Sequence, residues 1–455
     1  LAAANPEASY SLNTAVVERG NNDSLKFEVP SREWFDLTDR SGRFGVSVLE
    51  DCRYGSDKPD DNTLRLTLMY TPEANVPRFT YQATQDFGIH DVKYALYGHE
   101  GGWDNGTPWQ AKFLNQPLLT FATERHDGDR GRRIALAVPS TEQIDIMAFK
   151  KMEESPYYVV RVNELFGKAC DGATIEFPSA VAEAFEVDGQ ERRIGKATVR
   201  NGKLTFDIGK FGIRSFAVRF ADTSAPAKPV QEQLLLAYDA DILSDDAARS
   251  DGRMGRSEQT LPAEMLPDTI TSEGIDFAIR GREKGADNAV ECRGQQIALP
   301  AGDYDRIYLL AAAEEEAAGC FEMDGAEQWL DIAKWKGFVG QHYAQTIVPD
   351  STAYKTLAVD NPYLRKDPIA WFASHCHAPK RNIAYQYCYL YKYGLDIVPG
   401  AKTLTLPDNP CIKIVAVTVA KEGVRTVPLT PLYDDFDDYP VFRWRNRPKF
   451  DLSHR

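Results

Sequence analysis

The fold class predicted from this sequence is all-β, arranged as two successive β-sandwich bodies. Three observations predict it. Segments with strand character recur along almost all of the 455 residues. The connections between them are rich in Gly, Asn, Asp and Pro, residues that set turn geometry. Helical periodicity is scarce, whereas alternation of apolar and polar residues is common.

Taken in order, 25–29 (LKFEV), 64–70 (LRLTLMY), 158–162 (YVVRV) and 204–208 (LTFDI) alternate as half-buried strands do. The turns include Asp104-Asn105-Gly106-Thr107-Pro108, Asp127-Gly128-Asp129 and Asp188-Gly189. Asn201-Gly202, set between two β-like runs, is a type I′ hairpin signal. Ala311 to Ala318 (AAAEEEAA) has helix-forming composition inside a strand-like region and reads as an exposed loop or short helix. Residues 213–220 (IRSFAVRF) read as a closing strand. Ala221 to Gln231, with Pro226 and Pro229 among small residues, reads as a stiff linker. The expected domains are therefore 1–220 and 232–455, joined by 221–231.

Composition excludes some functions. Hydrophobic residues make up 43% and charged residues 26%, as in ordinary globular proteins. A net charge of -14 argues against nucleic acid, whose phosphates need a basic face. No apolar run approaches the ~20 residues of a membrane span, and Leu1-Ala2-Ala3-Ala4 does not read as a signal peptide. The seven cysteines are odd in number and widely spaced, against a disulfide framework. Cys52, Cys292, Cys388 and Cys411 adjoin apolar residues and read as buried thiols. The compartment stays open, with the cytoplasm favoured over the periplasm.

Residues 45–57 (GVSVLEDCRYGSD), then 64–70, then 86–99 (DFGIHDVKYALYGH) form three phrases in a fixed order. Together they resemble the C-terminal β region of glycoside hydrolase family 38, the retaining α-mannosidases. Residues 158–167 (YVVRVNELFG), 184–188 and 211–216 are similar to later strands of that region. Arg161 and Glu164 within them read as a structural ion pair. The segment 294–310, of the form Gly-Gln-x-Ile-x-Leu-Pro followed by Gly-x-Tyr, looks like jelly-roll modules of the galactose-binding-like type. The resemblance thus implies part of a mannosidase β-supersandwich followed by a jelly-roll sandwich.

Members of family 38 carry an N-terminal α/β barrel with a His/Asp-bound zinc and an Asp nucleophile. No βα alternation or His-x-Asp pair is found here. The expectation is a C-terminal, non-catalytic portion, inactive alone, supporting and lining the active site of a barrel on the same protein. Zinc is expected in that barrel, with no cofactor and no catalytic residue in this chain. The expected partners are the barrel and an α-mannoside glycan, without nucleic acid or membrane; a homo-oligomer stays open. The alternative is a stand-alone carbohydrate-binding or assembly module.

The resemblance places the 51–57 loop toward the barrel's site. Asp51, Arg53, Tyr54, Tyr70 and His90 are the candidate substrate-binding residues. Asp51, Arg53, Tyr54 and Lys58 together offer the donors and acceptors that sugar hydroxyls need. The bland readings are that Asp51 and Tyr54 close a turn, and that His90 and His99 are satisfied core or rim histidines. Relatives often have Arg at the position of Tyr70 and Pro at that of Gly98. Trp103 and Trp109 read as a sugar platform or as hydrophobic anchors. Asp245-Asp246, Asp434-Asp435 and Asp437-Asp438 cannot form a retaining pair, since neighbouring strand residues point to opposite faces. His375-Cys376-His377 puts two imidazoles on one strand face, but no third metal ligand stands at recognisable spacing.

Overall fold

A computed structural model of the chain describes residues 3–70, 90–126, 131–153, 155–222, 228–341, 344–350, 353–360, 363–422, 424 and 426–433. It is almost entirely β, in two compact units. Unit 1 holds residues 1–119 and 127–225. Unit 2 holds 120–126 and 226–455. The short piece 120–126 joins unit 2 because Phe121–Thr123 pairs with Thr426–Pro428. The 71–89 stretch with Asp86, residues 223–227 of the Ala221–Gln231 linker, the Asp127-Gly128-Asp129 turn and the acidic pairs after residue 433 lie outside the described residues.

Unit 1 begins with a five-stranded antiparallel sheet in the order Val16–Gly20, Glu7–Ser11, Trp34–Thr38, Phe44–Glu50, Tyr94–Glu100. A small sheet of Val29–Pro30, Gly55–Asp60 and Thr63–Leu66 accompanies it. Alternation sends Tyr10, Phe35, Leu37 and Val48 into one core, where Leu64 and Leu66 also pack. Each such side chain contributes about 1.5–3 kcal/mol by leaving water. Trp34 and Leu49 are buried in a separate cluster against Ala111 of the helix Thr107–Asn115.

That helix is the main departure from the strand reading. Gly106 takes the N-cap in a left-handed conformation (φ 100°), and Pro108 occupies the first turn, where a missing N–H costs nothing. What reads as a turn in the sequence is a helix start. The expected strand at 25–29 is confined to Val29–Pro30, and Leu25 and Phe27 are exposed because no neighbour pairs with them. The expected 64–70 strand is Thr63–Leu66.

The rest of unit 1 is a sandwich. One sheet is Val138–Pro139, Cys170–Glu176, Lys203–Ile208, Thr198–Arg200. The other is Ile144–Lys151, Tyr158–Glu164, Ile213–Phe220, Val181–Val187, Arg193–Lys196. Val160, Val162, Ile175, Leu204, Phe206 and Phe216 fill the space between. Asn201 and Gly202 both have positive φ (50° and 73°), as the type I′ turn joining Arg200 to Lys203 requires. Arg161 and Glu164 do not pair. Arg161 Nε donates to Ser215 Oγ at 2.9 Å, while buried Glu164 accepts from the backbone N–H groups of Phe166, Lys168 and Phe211. A carboxylate stitching two loops through main-chain donors needs no cation.

Unit 2 is also a sandwich. Its main sheet runs Val230–Gln233, Ile412–Lys421, Arg306–Ala313, Arg381–Asp396, Ile369–Ala378, with Val290–Glu291 also on Ile412–Lys421. A second sheet is Gln296–Ala298, Thr403–Thr405, Ala317–Met323, Ala326–Ile332. Ala311, Ala312 and Ala313 are fully buried in a central strand, so pairing on both edges overrides their helix propensity. All seven cysteines are free. Cys292, Cys376 and Cys388 are buried, but Cys52 is exposed and Cys411 only partly covered, against the sequence reading.

Candidate functional site

The strand Phe44–Glu50 delivers the chain to the acidic-basic-aromatic loop. The loop proper is only Asp51 to Tyr54, because Gly55–Asp60 is a strand paired with Val29–Pro30 and Thr63–Leu66. This shortens the expected 51–57 loop. Asp57 makes a two-pronged ion pair with Arg65 at 2.6 and 2.7 Å. Lys58, expected among the sugar-facing groups, is buried; its ammonium donates to the Asp60 carbonyl at 2.7 Å and to Asn21. Its hydrogen-bonding capacity is consumed inside the fold.

Within the loop, Cys52 carries a positive φ of 61°, which turns the chain sharply. Asp51 Oδ2 meets Lys93 Nζ at 3.0 Å, and Asp51 Oδ1 accepts from Cys52 Sγ at 3.1 Å. The Lys93 hydrogen bond, then the Cys52 one, hold the Asp51 carboxyl below its ordinary range. Arg53 Nη1 donates to the Cys52 carbonyl at 3.2 Å, and its buried Nε has no partner among the described residues. Tyr54 is about half exposed, while its carbonyl accepts from Ser31 N at 2.9 Å. Burial, then Cys52, push the Tyr54 phenol upward, so it stays a neutral donor and acceptor. Asp51, Arg53 and Tyr54 therefore share one rim with Lys93. Tyr70 is strongly exposed and His90 half-buried, at the two ends of the undescribed 71–89 stretch.

Sequence reasoning missed Lys93 and Glu50. Glu50, at the base of the loop, is 1% exposed, and neither carboxylate oxygen has a hydrogen-bond partner among the described residues. Burial pushes its pKa up to about 7, against a smaller opposing pull from Ser31. His99 lies in the interior, with Nε2 2.7 Å from Asp36 Oδ1. Asp36 also accepts from Ser47 Oγ and Thr38 Oγ1. Ser47 bonds to the carboxylate rather than to the imidazole, so this network holds strands together and is not a nucleophile relay. Trp103 packs on Trp34 with ring centroids 5.2 Å apart, and Trp109 Nε1 donates to the Glu142 carbonyl, so both anchor the fold.

In unit 2, a cavity of about 810 Å³ is lined by Phe338, Tyr363, Lys334, Asp331, Arg365 and Asp367, among others. Elsewhere in unit 2 the structure supplies what the sequence spacing hid. Glu264, from a 3₁₀ turn at Ala263–Met265, meets His375 and His377, and their ligand-type atoms lie within 4.8 Å of one another.

Comparisons with known proteins follow this division. The sequence model described as "Glycosyl hydrolases family 38 C-terminal domain" matches residues 1–78. "Glycosyl hydrolases family 38 C-terminal beta sandwich domain" matches 143–216. Both matches lie within unit 1, which is thus similar to the C-terminal portion of family 38 α-mannosidases. The chain is 28% identical to "Alpha-mannosidase 2C1" of Homo sapiens over 221 residues, covering 46% of this chain and 20% of that protein. "Alpha-mannosidase" of Saccharomyces cerevisiae is 34% identical over 108 residues, covering 23% of this chain and 9% of that protein. The chain thus spans about a fifth or less of the length of these relatives. A solved family 38 protein from Enterococcus faecalis is 18% identical, with a TM-score of 0.39, covering 48% of this chain and 25% of the other. Residues 230–423, beyond the family 38 portion, match the model "AziU2-like beta-sandwich domain".

Proposed function

We propose that this chain is the C-terminal, non-catalytic part of a retaining α-mannosidase that hydrolyses terminal α-D-mannosides. Its role is to support an N-terminal barrel and to line one side of that barrel's sugar site with Asp51, Arg53 and Tyr54, flanked by Tyr70 and His90. The observation that carries this reading is the placement of both family 38 C-terminal matches on one compact unit. The loop chemistry supports it. A fixed carboxylate, a partly exposed guanidinium and an exposed phenol can together accept from and donate to sugar hydroxyls. Among the described residues the family 38 matches contain no cluster suited to a metal. The family resemblance implies a zinc, and in this reading the barrel would hold it and draw on its Lewis-acid chemistry.

A second reading is a carbohydrate-binding role for unit 2. The cavity lined by Phe338 and Tyr363 favours it, because its volume and its mixture of aromatic and charged groups suit a small sugar.

The test is kinetic, on the full-length gene product. Tyr54→Phe and Arg53→Gln should each lower kcat/KM about tenfold, or ~1.4 kcal/mol, with an unchanged melting temperature. Unchanged kinetics with a lowered melting temperature would reduce the loop to a brace between domains.

A further inference from the structure

Two imidazoles and a carboxylate converge at one point of unit 2, outside the family 38 matches. We propose that Glu264, His375 and His377 form a divalent-cation site of the zinc class. Strand geometry sets the two imidazoles side by side. Within Ile369–Ala378, residues 375 and 377 share a face, whereas Cys376 between them points into the core. The backbone of Thr260 pairs with His377 through N–H···O contacts of 3.2 and 3.1 Å. That pairing brings the following segment, and with it Glu264, across the two rings.

The distances suit coordination. Glu264 Oε1 lies 2.9 Å from His377 Nε2 and 3.3 Å from His375 Nε2. Zinc bonds N and O at roughly 2.0–2.2 Å, which puts neighbouring tetrahedral ligands about 3.3–3.6 Å apart. The Glu264–His375 distance already falls at that spacing, a few tenths of an ångström at the partly exposed Glu264 side chain brings the His377 contact to it, and all three ligand atoms lie within 4.8 Å of one another. Two His and one Glu form the three-ligand set that leaves a fourth position open.

The surroundings orient the ligands. His377 is fully buried, and its Nδ1 faces Ser244 Oγ at 3.0 Å, with Ser244 bonded in turn to Thr260 Oγ1. A ring nitrogen engaged in this way fixes the direction of the other, which is the usual support of a metal-bound imidazole. Asp246 Oδ1 stands 3.7 Å from His377 Nε2 and is held by Asn382 and Arg249, each at 2.7 Å. Imidazole with carboxylate is a borderline-to-hard donor set, suited to Zn²⁺ rather than to Ca²⁺.

A proton-only arrangement, with both rings donating to Glu264, is the competing account, and metal titration separates the two. The chelator-stripped 455-residue chain is titrated calorimetrically with Zn²⁺, and its melting is followed with and without the ion. The site predicts one equivalent bound and a metal-dependent rise in melting temperature. Glu264→Gln and His375→Ala, both outside the core, should each weaken binding at least tenfold and abolish the rise. Cys52→Ser, which removes an exposed thiol, should change neither. Absence of stoichiometric binding by the unaltered chain overturns the proposal. So does equal affinity in Glu264→Gln and His375→Ala, or loss of binding only in Cys52→Ser. This inference does not depend on mannosidase activity.

Discussion

Asp36 Oδ1 and His99 Nε2 face each other at 2.7 Å in unit 1, with each side chain only 1% exposed. Burial alone lowers the pKa of His99, but the hydrogen bond and charge of Asp36 prevail and raise it above its ordinary value. The pair joins the strands Trp34–Thr38 and Tyr94–Glu100 across the intervening Phe44–Glu50.

The sign of the pH dependence follows. A histidine whose folded pKa is raised stabilises the fold fully below the unfolded value of about 6.5. That contribution is lost as pH rises through the folded value. Asp36→Asn should cost roughly 3–5 kcal/mol, because a buried ring loses its compensating charge. Thermal melts of the two proteins across pH should converge toward high pH. A constant difference at every pH would refute ionic pairing.

Glu50 gives a second pH window. Its folded pKa of about 7 exceeds the ordinary value of 4.5, so the folded state holds a proton that the unfolded state releases. Stability should therefore fall as pH rises from about 4.5 to 7 and level off beyond, by ~3 kcal/mol in all. Glu50→Gln should flatten this decline while leaving the His99 window intact. Denaturant titrations at pH 5 and 8 check it, and an undiminished slope in the variant would contradict the assignment.

The Asn201-Gly202 turn makes a geometric prediction. Gly202 has φ +73°, and an added Cβ would stand 2.8 Å from the Ala180 Cβ. Gly202→Ala should lower stability by about 1–2 kcal/mol, from backbone strain and the clash together. Equilibrium unfolding measures it. A neutral result would mean that the Val181–Val187 end moves aside freely.

This hairpin was legible because its two turn residues specify their own geometry. The core strands were legible too, since alternation at Tyr158–Glu164 and Lys203–Ile208 reflects one buried face. Alternation at 25–29 misled, because a pattern shows which side of a strand could be buried but supplies no neighbour to pair with. Ala311–Ala313 read as helical because local propensity carries no knowledge of the two flanking strands. Of the candidate site, the Asp51–Tyr54 rim was legible as a phrase, but the burial of Lys58 and the approach of Lys93 depend on folding. Glu264 lies 111 positions before His375, so only the tertiary pairing at Thr260 reveals their meeting.

The boundary between the units predicts proteolytic behaviour. Limited digestion of the native chain should first cut within 221–231, yielding two fragments that resist further attack. Mass spectrometry locates the cut. A first cut inside either sandwich, with 221–231 left intact, would argue that the linker is protected.

In the proposed function the chemistry resides in a barrel that this chain supports. The most direct measurement compares turnover of an aryl α-mannoside by the purified 455-residue chain and by the full-length gene product, each with added zinc. The account predicts hydrolysis by the full-length protein and none by the chain alone. Zinc-dependent hydrolysis that copurifies with the isolated chain would contradict it.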